Sequence, residues 1–196
     1  VVPEDSPIEQ EIVDAVQAIR RGNAQAYAAI VKRFQGSMMT LCVAILRDHQ
    51  AADEVVQDVF VRAYQRLDTF DLERPMKPWL VKIAYRLAQQ RWRASSNELM
   101  HRKAAMARLQ QSHSDQDPSR RLLRQERSEV LWNAVHELPL AQRAAVLLYY
   151  RDNLTIHEVA RVMTISSGTV KTHLFRARNQ LQLGLRKQGL DQGDLS

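Results

Sequence analysis

The stretch Leu154-Thr155-Ile156-His157-Glu158-Val159-Ala160-Arg161-Val162-Met163-Thr164-Ile165-Ser166-Ser167-Gly168-Thr169-Val170-Lys171-Thr172-His173-Leu174 reads as two short helices around a tight turn. Thr155 and Glu158 have the spacing of a capping box, in which hydroxyl and carboxylate each satisfy a backbone N–H at a helix start. Val159, Ala160, Val162 and Met163 supply the apolar face of that helix. After a break of a few residues, Ser166 offers a second cap, and Gly168, Thr169, Val170 and Lys171 open the next helix. Helix, turn and capped helix make a helix-turn-helix pattern. Ala160 is small where the two helices would cross, and Val170 and Leu174 would hold the second against the first. Ser167, Thr169, Lys171, Thr172, His173 and Arg176 remain for the outer face, with Arg178 just beyond them.

That face suits the major groove of DNA. A helix start rich in small polar residues approaches phosphates closely, and its dipole favours them. Lys171 and Arg176 reach phosphates or guanine edges. No acid stands between Glu158 and Asp191, whereas Arg161, Lys171, Arg176, Arg178, Arg186 and Lys187 are all basic. An ordinary solvated face mixes both signs.

Helical periodicity extends through the rest of the chain, and the fold class expected is all-α, without strands. Ser6, Pro7 and Glu9 signal a helix start, followed by Ile8, Ile12, Val16 and Ile19 on one face and a stop near Gly22. A second helix is expected through Tyr27, Ile30, Val31 and Phe34 to Gly36, and a third through Met38, Leu41 and Ile45. A fourth carries Ala52, Val55, Val56, Val59, Phe60, Ala63 and Leu67. A fifth runs from Pro78 to about Arg93. From Ala94 to Arg120 the pattern weakens into a polar run, which reads as a flexible interdomain linker with at most a frayed helix near 98–109. Two small helical domains are therefore expected, 1–94 and 121–196, joined by a linker at 95–120. In the second, a helix through Val130 to Leu138 and another opened by Pro139 precede the helix-turn-helix.

Two segments of the N-terminal half carry surface chemistry. Asp53, Glu54, Gln57 and Asp58 share a helix with the apolar Val55, Val56, Val59 and Phe60, giving an acidic face opposite a buried one. Downstream, no acid occurs between Glu73 and Glu98, while Arg74, Lys77, Lys82, Arg86, Arg91 and Arg93 are interleaved with Trp79, Tyr85 and Trp92. A cationic track with stacking faces is what single-stranded DNA requires, at roughly 1–3 kcal/mol per stacked base. Phe70, in the preceding loop, is placed to line a pocket for an unstacked base. Leu80 and Ile83 flank Trp79, which suits the core as well as it suits stacking.

The bulk composition agrees with a nucleic-acid partner. The 196 residues carry a net charge of +6. The single cysteine, Cys42, lies in an apolar run and reads as core, as expected in a reducing cytoplasm. No stretch approaches the ~20 apolar residues of a membrane span, so no membrane insertion is expected. The acidic, proline-containing start does not resemble a signal peptide. The six histidines lack zinc-ligand spacing. With no phosphate loop or nucleophile elbow either, no enzyme, cofactor or metal is expected.

Leu138-Pro139 with Arg143, the run Leu154 to Ala160, Gly168-Thr169-Val170-Lys171 and Arg176-Ala177-Arg178 together resemble region 4 of an extracytoplasmic-function sigma factor. Ala51 to Phe60 resembles region 2.2 of the same family, and Trp79-Leu80 with Ile83-Ala84 resembles regions 2.3 to 2.4. The resemblance implies a transcription initiation factor. Region 4 would read the −35 promoter element and meet the polymerase β flap. The acidic helix would dock on the clamp helices of the β′ subunit of core RNA polymerase, and region 2 would read the −10 element. An anti-sigma factor would control the protein by closing the two domains together. Three positions depart from the family pattern: Thr164 stands where glycine is usual in the turn, Arg86 where asparagine is usual, and Gln90 where aspartate is usual. Arginine stacks and donates but accepts no hydrogen bond, which implies an altered −10 preference or weaker melting. Two other readings fit parts of the pattern: a decoy that only binds an anti-sigma factor, and a stand-alone helix-turn-helix regulator.

Overall fold

The computed structural model describes residues 7–106 and 124–187. Among them every regular element is helical. Helix α1 (Pro7–Arg20) leads through Gly22, at φ +99°, and a 3-10 turn at Ala24–Ala26 into α2 (Tyr27–Leu46). Helix α3 (His49–Gln65) is followed by a 3-10 turn at Leu67–Thr69 and by α4 (Met76–Met106). The C-terminal unit contains α5 (Arg124–Glu137), α6 (Leu140–Val146), a π turn at Leu147–Arg151, α7 (Ile156–Met163) and α8 (Ser167–Lys187).

The break expected at Gly36 is absent, because α2 runs through it. A glycine inside a helix costs about 1 kcal/mol relative to alanine. Here the inner face outweighs that cost: Ile30, Phe34, Met38, Leu41 and Ile45 are buried on both sides of the glycine. Gly36 itself faces open space. Together with its 3-10 lead-in, α2 is long and apolar enough to cross a membrane by length and composition, contrary to the sequence expectation. In this fold it is the central helix of the N-terminal unit, packed against α1, α3 and α4. Helix α4 also departs from expectation. It starts two residues before Pro78 and continues past Arg93 into the segment read as linker, as far as Met106. Ser6 and residues 107–120 of the expected linker lie outside the described residues.

Cys42 is fully buried on α2. Burial pushes its thiol up to about 12, so almost no thiolate exists at pH 8. The expected outcome is that a thiol reagent leaves the native protein unmodified for hours and reacts with one equivalent in concentrated urea. Rapid labelling of the native protein would mean that α2 is not packed as described.

The C-terminal unit follows its local signals closely. Thr155 and Glu158 form a full capping box, with the Glu158 amide donating to Thr155 Oγ1 at 3.3 Å and the Thr155 amide donating to Glu158 Oε2 at 2.8 Å. Val159, Ala160, Val162 and Met163 are buried, as are Val170, Leu174 and Ala177 of α8. Thr164 ends α7 at φ +59°, ψ 46°, in the left-handed region. A β-branched residue there carries a strain of about 1–2 kcal/mol that glycine would not. Thr164→Gly is therefore expected to stabilise the C-terminal unit by about 1 kcal/mol, part of the relief being offset by the freer unfolded chain. Thermal denaturation would read this as a midpoint several degrees higher.

Candidate nucleic-acid interface

The acidic quartet lies on the outer side of α3. Asp53, Glu54, Gln57 and Asp58 are all exposed, while Val55, Val56, Val59 and Phe60 are buried behind them. Gln57 Nε2 donates to Asp53 Oδ2 at 2.9 Å, and Glu54 pairs with Arg91 of α4 at 3.0 Å. That pair is half-exposed, so water screens it and it contributes little to stability. Its consequence is positional: Arg91 stands at the border between the acidic face and the basic one.

The loop after α3 is held from a distance. Arg20, at the end of α1, donates through Nη2 to the carbonyls of Leu67 at 3.0 Å, Asp68 at 3.2 Å and Phe70 at 2.5 Å. This fixes Phe70 against Trp79, ring centroids 5.2 Å apart and tilted by 52°. Trp79 is half-buried and walls two hollows. One, of about 330 Å³, runs between α3 and α4 and is lined by Arg62, Arg66, Lys82, Arg86 and Gln90 along with apolar side chains. Four cations around an indole edge give a groove that attracts a phosphate backbone and offers a stacking surface.

Arg62 and Arg66 were not among the residues expected from the sequence. They lie four residues apart, Arg62 in the last turn of α3 and Arg66 at its C-cap. That spacing was the available signal, but only the packing of α3 on α4 brings them to Lys82 and Arg86. Arg86, Arg91 and Arg93 are exposed as expected, and Trp92 is 36% exposed. Tyr85 is not available as a stacking platform. It is 3% exposed, and its hydroxyl accepts from Gln89 Nε2 at 3.1 Å. Its ring belongs to the core, on the α4 face shared with Val81, Ala84 and Ala88. Phe70 is also buried, at 5% exposure, and lines a cavity.

On α8, Ser166 Oγ accepts from the Thr169 amide at 3.1 Å, which makes the expected cap. His157 Nδ1 and Ser167 Oγ are 3.2 Å apart and tie the start of α7 to the start of α8. Thr169, Lys171, Thr172 and Arg176 are exposed, and Ser167 is half-buried. His173 sits at the edge of this face, half-buried, its Nδ1 enclosed without a hydrogen-bond partner. Burial and then the neighbouring Arg176 hold the imidazole below its ordinary range, in the neutral form at neutral pH. Arg178 is exposed but turned to Tyr150, donating from Nε to the phenol oxygen and lying 5.6 Å from the ring centroid. Phe175, absent from the expected face, is 63% exposed next to Arg176. An apolar ring on a groove-facing helix suits the methyl group of thymine.

Residues 30–98 match the family described as Sigma-70 region 2, and residues 128–181 match Sigma-70, region 4. The chain belongs to the extracytoplasmic-function sigma factors of the sigma-70 family. It is 28% identical over 185 residues to the ECF RNA polymerase sigma factor SigW of Bacillus subtilis, covering 91% of this chain and 99% of that one. It is 28% identical over 178 residues to the ECF RNA polymerase sigma-E factor of Escherichia coli K12, covering 85% and 90%. Among solved structures, CnrH in complex with the cytosolic domain of CnrY is similar at a TM-score of 0.64 and 25% identity, covering 91% of this chain and 98% of that one. The sigma factor RpoE in complex with the anti-sigma factor NepR from Bartonella quintana shares the fold at a TM-score of 0.66 and 20% identity, covering 83% and 98%.

As an extracytoplasmic-function sigma factor, the protein directs RNA polymerase and performs no catalysis itself. The presence of region 2 as well as region 4 sets aside the reading as a stand-alone helix-turn-helix regulator. The two departures in region 2 of this sigma factor share one location, since Arg86 and Gln90 both line the groove beside Trp79.

Proposed function

We propose that this sigma factor docks on the clamp helices of the polymerase β′ subunit through Asp53, Glu54, Gln57 and Asp58. Region 2 then reads the −10 element with the groove of α3 and α4, and region 4 reads the −35 element with α8 while meeting the β flap. The observation that carries this reading is the sorting of charge by surface. In a chain of net charge +6, the acids of α3 are gathered on one exposed face. The cations of α4 and α8 lie where nucleic acid would approach. Complementary potentials steer encounter and set register between partners. Lys82, Arg86 and Arg93 would follow the backbone of the melted strand, with Trp79 and Phe70 at the base. Lys171, Thr172, Phe175 and Arg176 would enter the major groove, with Ser167 and Thr169 toward the phosphates at the helix start.

The protein would act in the cytoplasm, where the polymerase is. An anti-sigma factor is a further expected partner, supported by the similarity to CnrH, whose structure was solved with the cytosolic domain of CnrY. The test is transcription by core polymerase from a library of randomised promoters. Promoter-dependent transcripts are expected only when the protein is added, with a −10 preference that Arg86→Asn changes. Binding to the polymerase without any promoter-selected transcript would favour a decoy.

A further inference from the structure

Beside the outer face of α8, one arginine is held by a tyrosine from another element. The π turn at Leu147–Arg151 is closed by the Asp152 amide, which donates to the Leu147 carbonyl at 3.0 Å. Such turns carry one residue more than an α-helical turn and recur at functional sites. Leu147 and Leu148 of this turn are buried, and Tyr149 packs half-buried against the core. Tyr150 is left outside at 50% exposure, its ring edge-on to that of Tyr149 with centroids 4.9 Å apart. The Tyr150 hydroxyl accepts from Nε of Arg178 on α8, and the guanidinium carbon stands 5.6 Å from the ring centroid. Arg178 is thus held twice, by a hydrogen bond and by the attraction of a cation to an aromatic ring.

The neutrality of the phenol decides what this pair can do. A carboxylate in its place would orient the guanidinium and cancel its charge, whereas a phenol orients it and leaves the charge intact. Among the described residues Arg178 has no carboxylate partner. The guanidinium is a planar fork of N–H donors. One N–H goes to the phenol, and those on the two terminal nitrogens remain to take two oxygens of a phosphate. Arg178 lies two turns beyond Lys171, about 10 Å along the same side of α8, and both residues are exposed. Thr172 and Arg176 occupy the adjoining face.

We propose that Arg178 grips a DNA phosphate beside the −35 element and that Tyr150 is its positioning residue. The inference rests on the proposed −35 role of α8. Tyr150 fixes the guanidinium before DNA arrives, so the side chain has less freedom to lose on binding. Because the contact is to a phosphate, it adds affinity on every sequence and selects none.

The full chain would be titrated by anisotropy against a labelled duplex carrying the selected −35 element and against a scrambled duplex, at several salt concentrations. Arg178→Ala is expected to bind both duplexes about fivefold more weakly near 0.15 M salt, the worth of about one released counterion, with a salt slope smaller by about one ion. Tyr150→Phe keeps the ring and loses the acceptor. It is expected to bind about threefold more weakly, the cost of immobilising one free side chain, with the salt slope unchanged. Tyr150→Glu neutralises the guanidinium and should reproduce the smaller slope of Arg178→Ala. The double variant Tyr150→Phe with Arg178→Ala should bind no more weakly than Arg178→Ala alone. A Tyr150→Phe variant that binds as wild type, or a loss that persists undiminished in the double variant, would overturn the positioning role. Wild-type binding by Arg178→Ala alongside a weakened Lys171→Ala would overturn the phosphate grip and leave the −35 reading standing. If Lys171→Ala and Arg176→Ala also bind as wild type, the −35 reading fails and the proposal falls with it.

Discussion

Asp53→Arg combined with Asp58→Arg is expected to abolish binding to core RNA polymerase while leaving the fold intact. Both side chains are exposed on α3, and the helix is anchored from its other side by Val55, Val56, Val59 and Phe60. Among the described residues, the side-chain interaction disturbed is the exposed hydrogen bond from Gln57 to Asp53, so circular dichroism and melting should change little. Placing like charges against a complementary partner costs several kcal/mol. A penalty of about 3–5 kcal/mol is a fall of some hundred- to several-thousand-fold in affinity. Glu9→Lys, an exposed reversal on α1, serves as control and is expected to bind as wild type. Fluorescence titration of labelled polymerase would measure all three proteins. Retained affinity in the double variant would remove α3 as the docking surface.

The second large effect is expected at Arg176. The residue is exposed on the face of α8 that also carries Thr172 and Phe175, opposite the buried Val170, Leu174 and Ala177. Arg176→Ala should weaken binding to a duplex carrying the −35 element by about 1–3 kcal/mol if the guanidinium reads a base. The preferred sequence would then change at one position. Lys171→Ala should behave differently. Without its ammonium on a phosphate, affinity falls evenly across sequences and the salt dependence drops by about one ion. Anisotropy titrations at several salt concentrations separate the two cases. If Arg176→Ala alters neither affinity nor preference, α8 does not present this face to the groove.

What the sequence made legible was mostly local. The capping box of Thr155 and Glu158 formed as its spacing implied, and Thr164 took the left-handed conformation that the position demands. Such features depend on a few neighbouring residues, so a linear pattern is enough to find them. The acidic face of α3 was legible for the same reason, because helix periodicity alone separates Asp53 and Asp58 from Val55 and Val59. Gly36 misled because its intrinsic cost was read without the packing of Phe34, Met38 and Leu41 that outweighs it. Tyr85 misled because an aromatic residue among cations suits a core as well as a stacking face, and only the burial of its ring distinguishes them. Arg62 and Arg66 showed their common face by spacing alone, but the cations that they join lie on α4, and no linear pattern brings the two helices together.

Central to the proposed function is that one chain places α4 at the −10 element and α8 at the −35 element of the same promoter. The most direct measurement is site-specific photocrosslinking in the assembled promoter complex. A photoreactive amino acid would replace Gln90 on α4 in one variant and Thr172 on α8 in another, both exposed positions. Crosslinks from position 90 are expected to be confined to the −10 region, and crosslinks from position 172 to the −35 region. Crosslinks from position 172 near −10, or none to DNA from position 90, would contradict that placement.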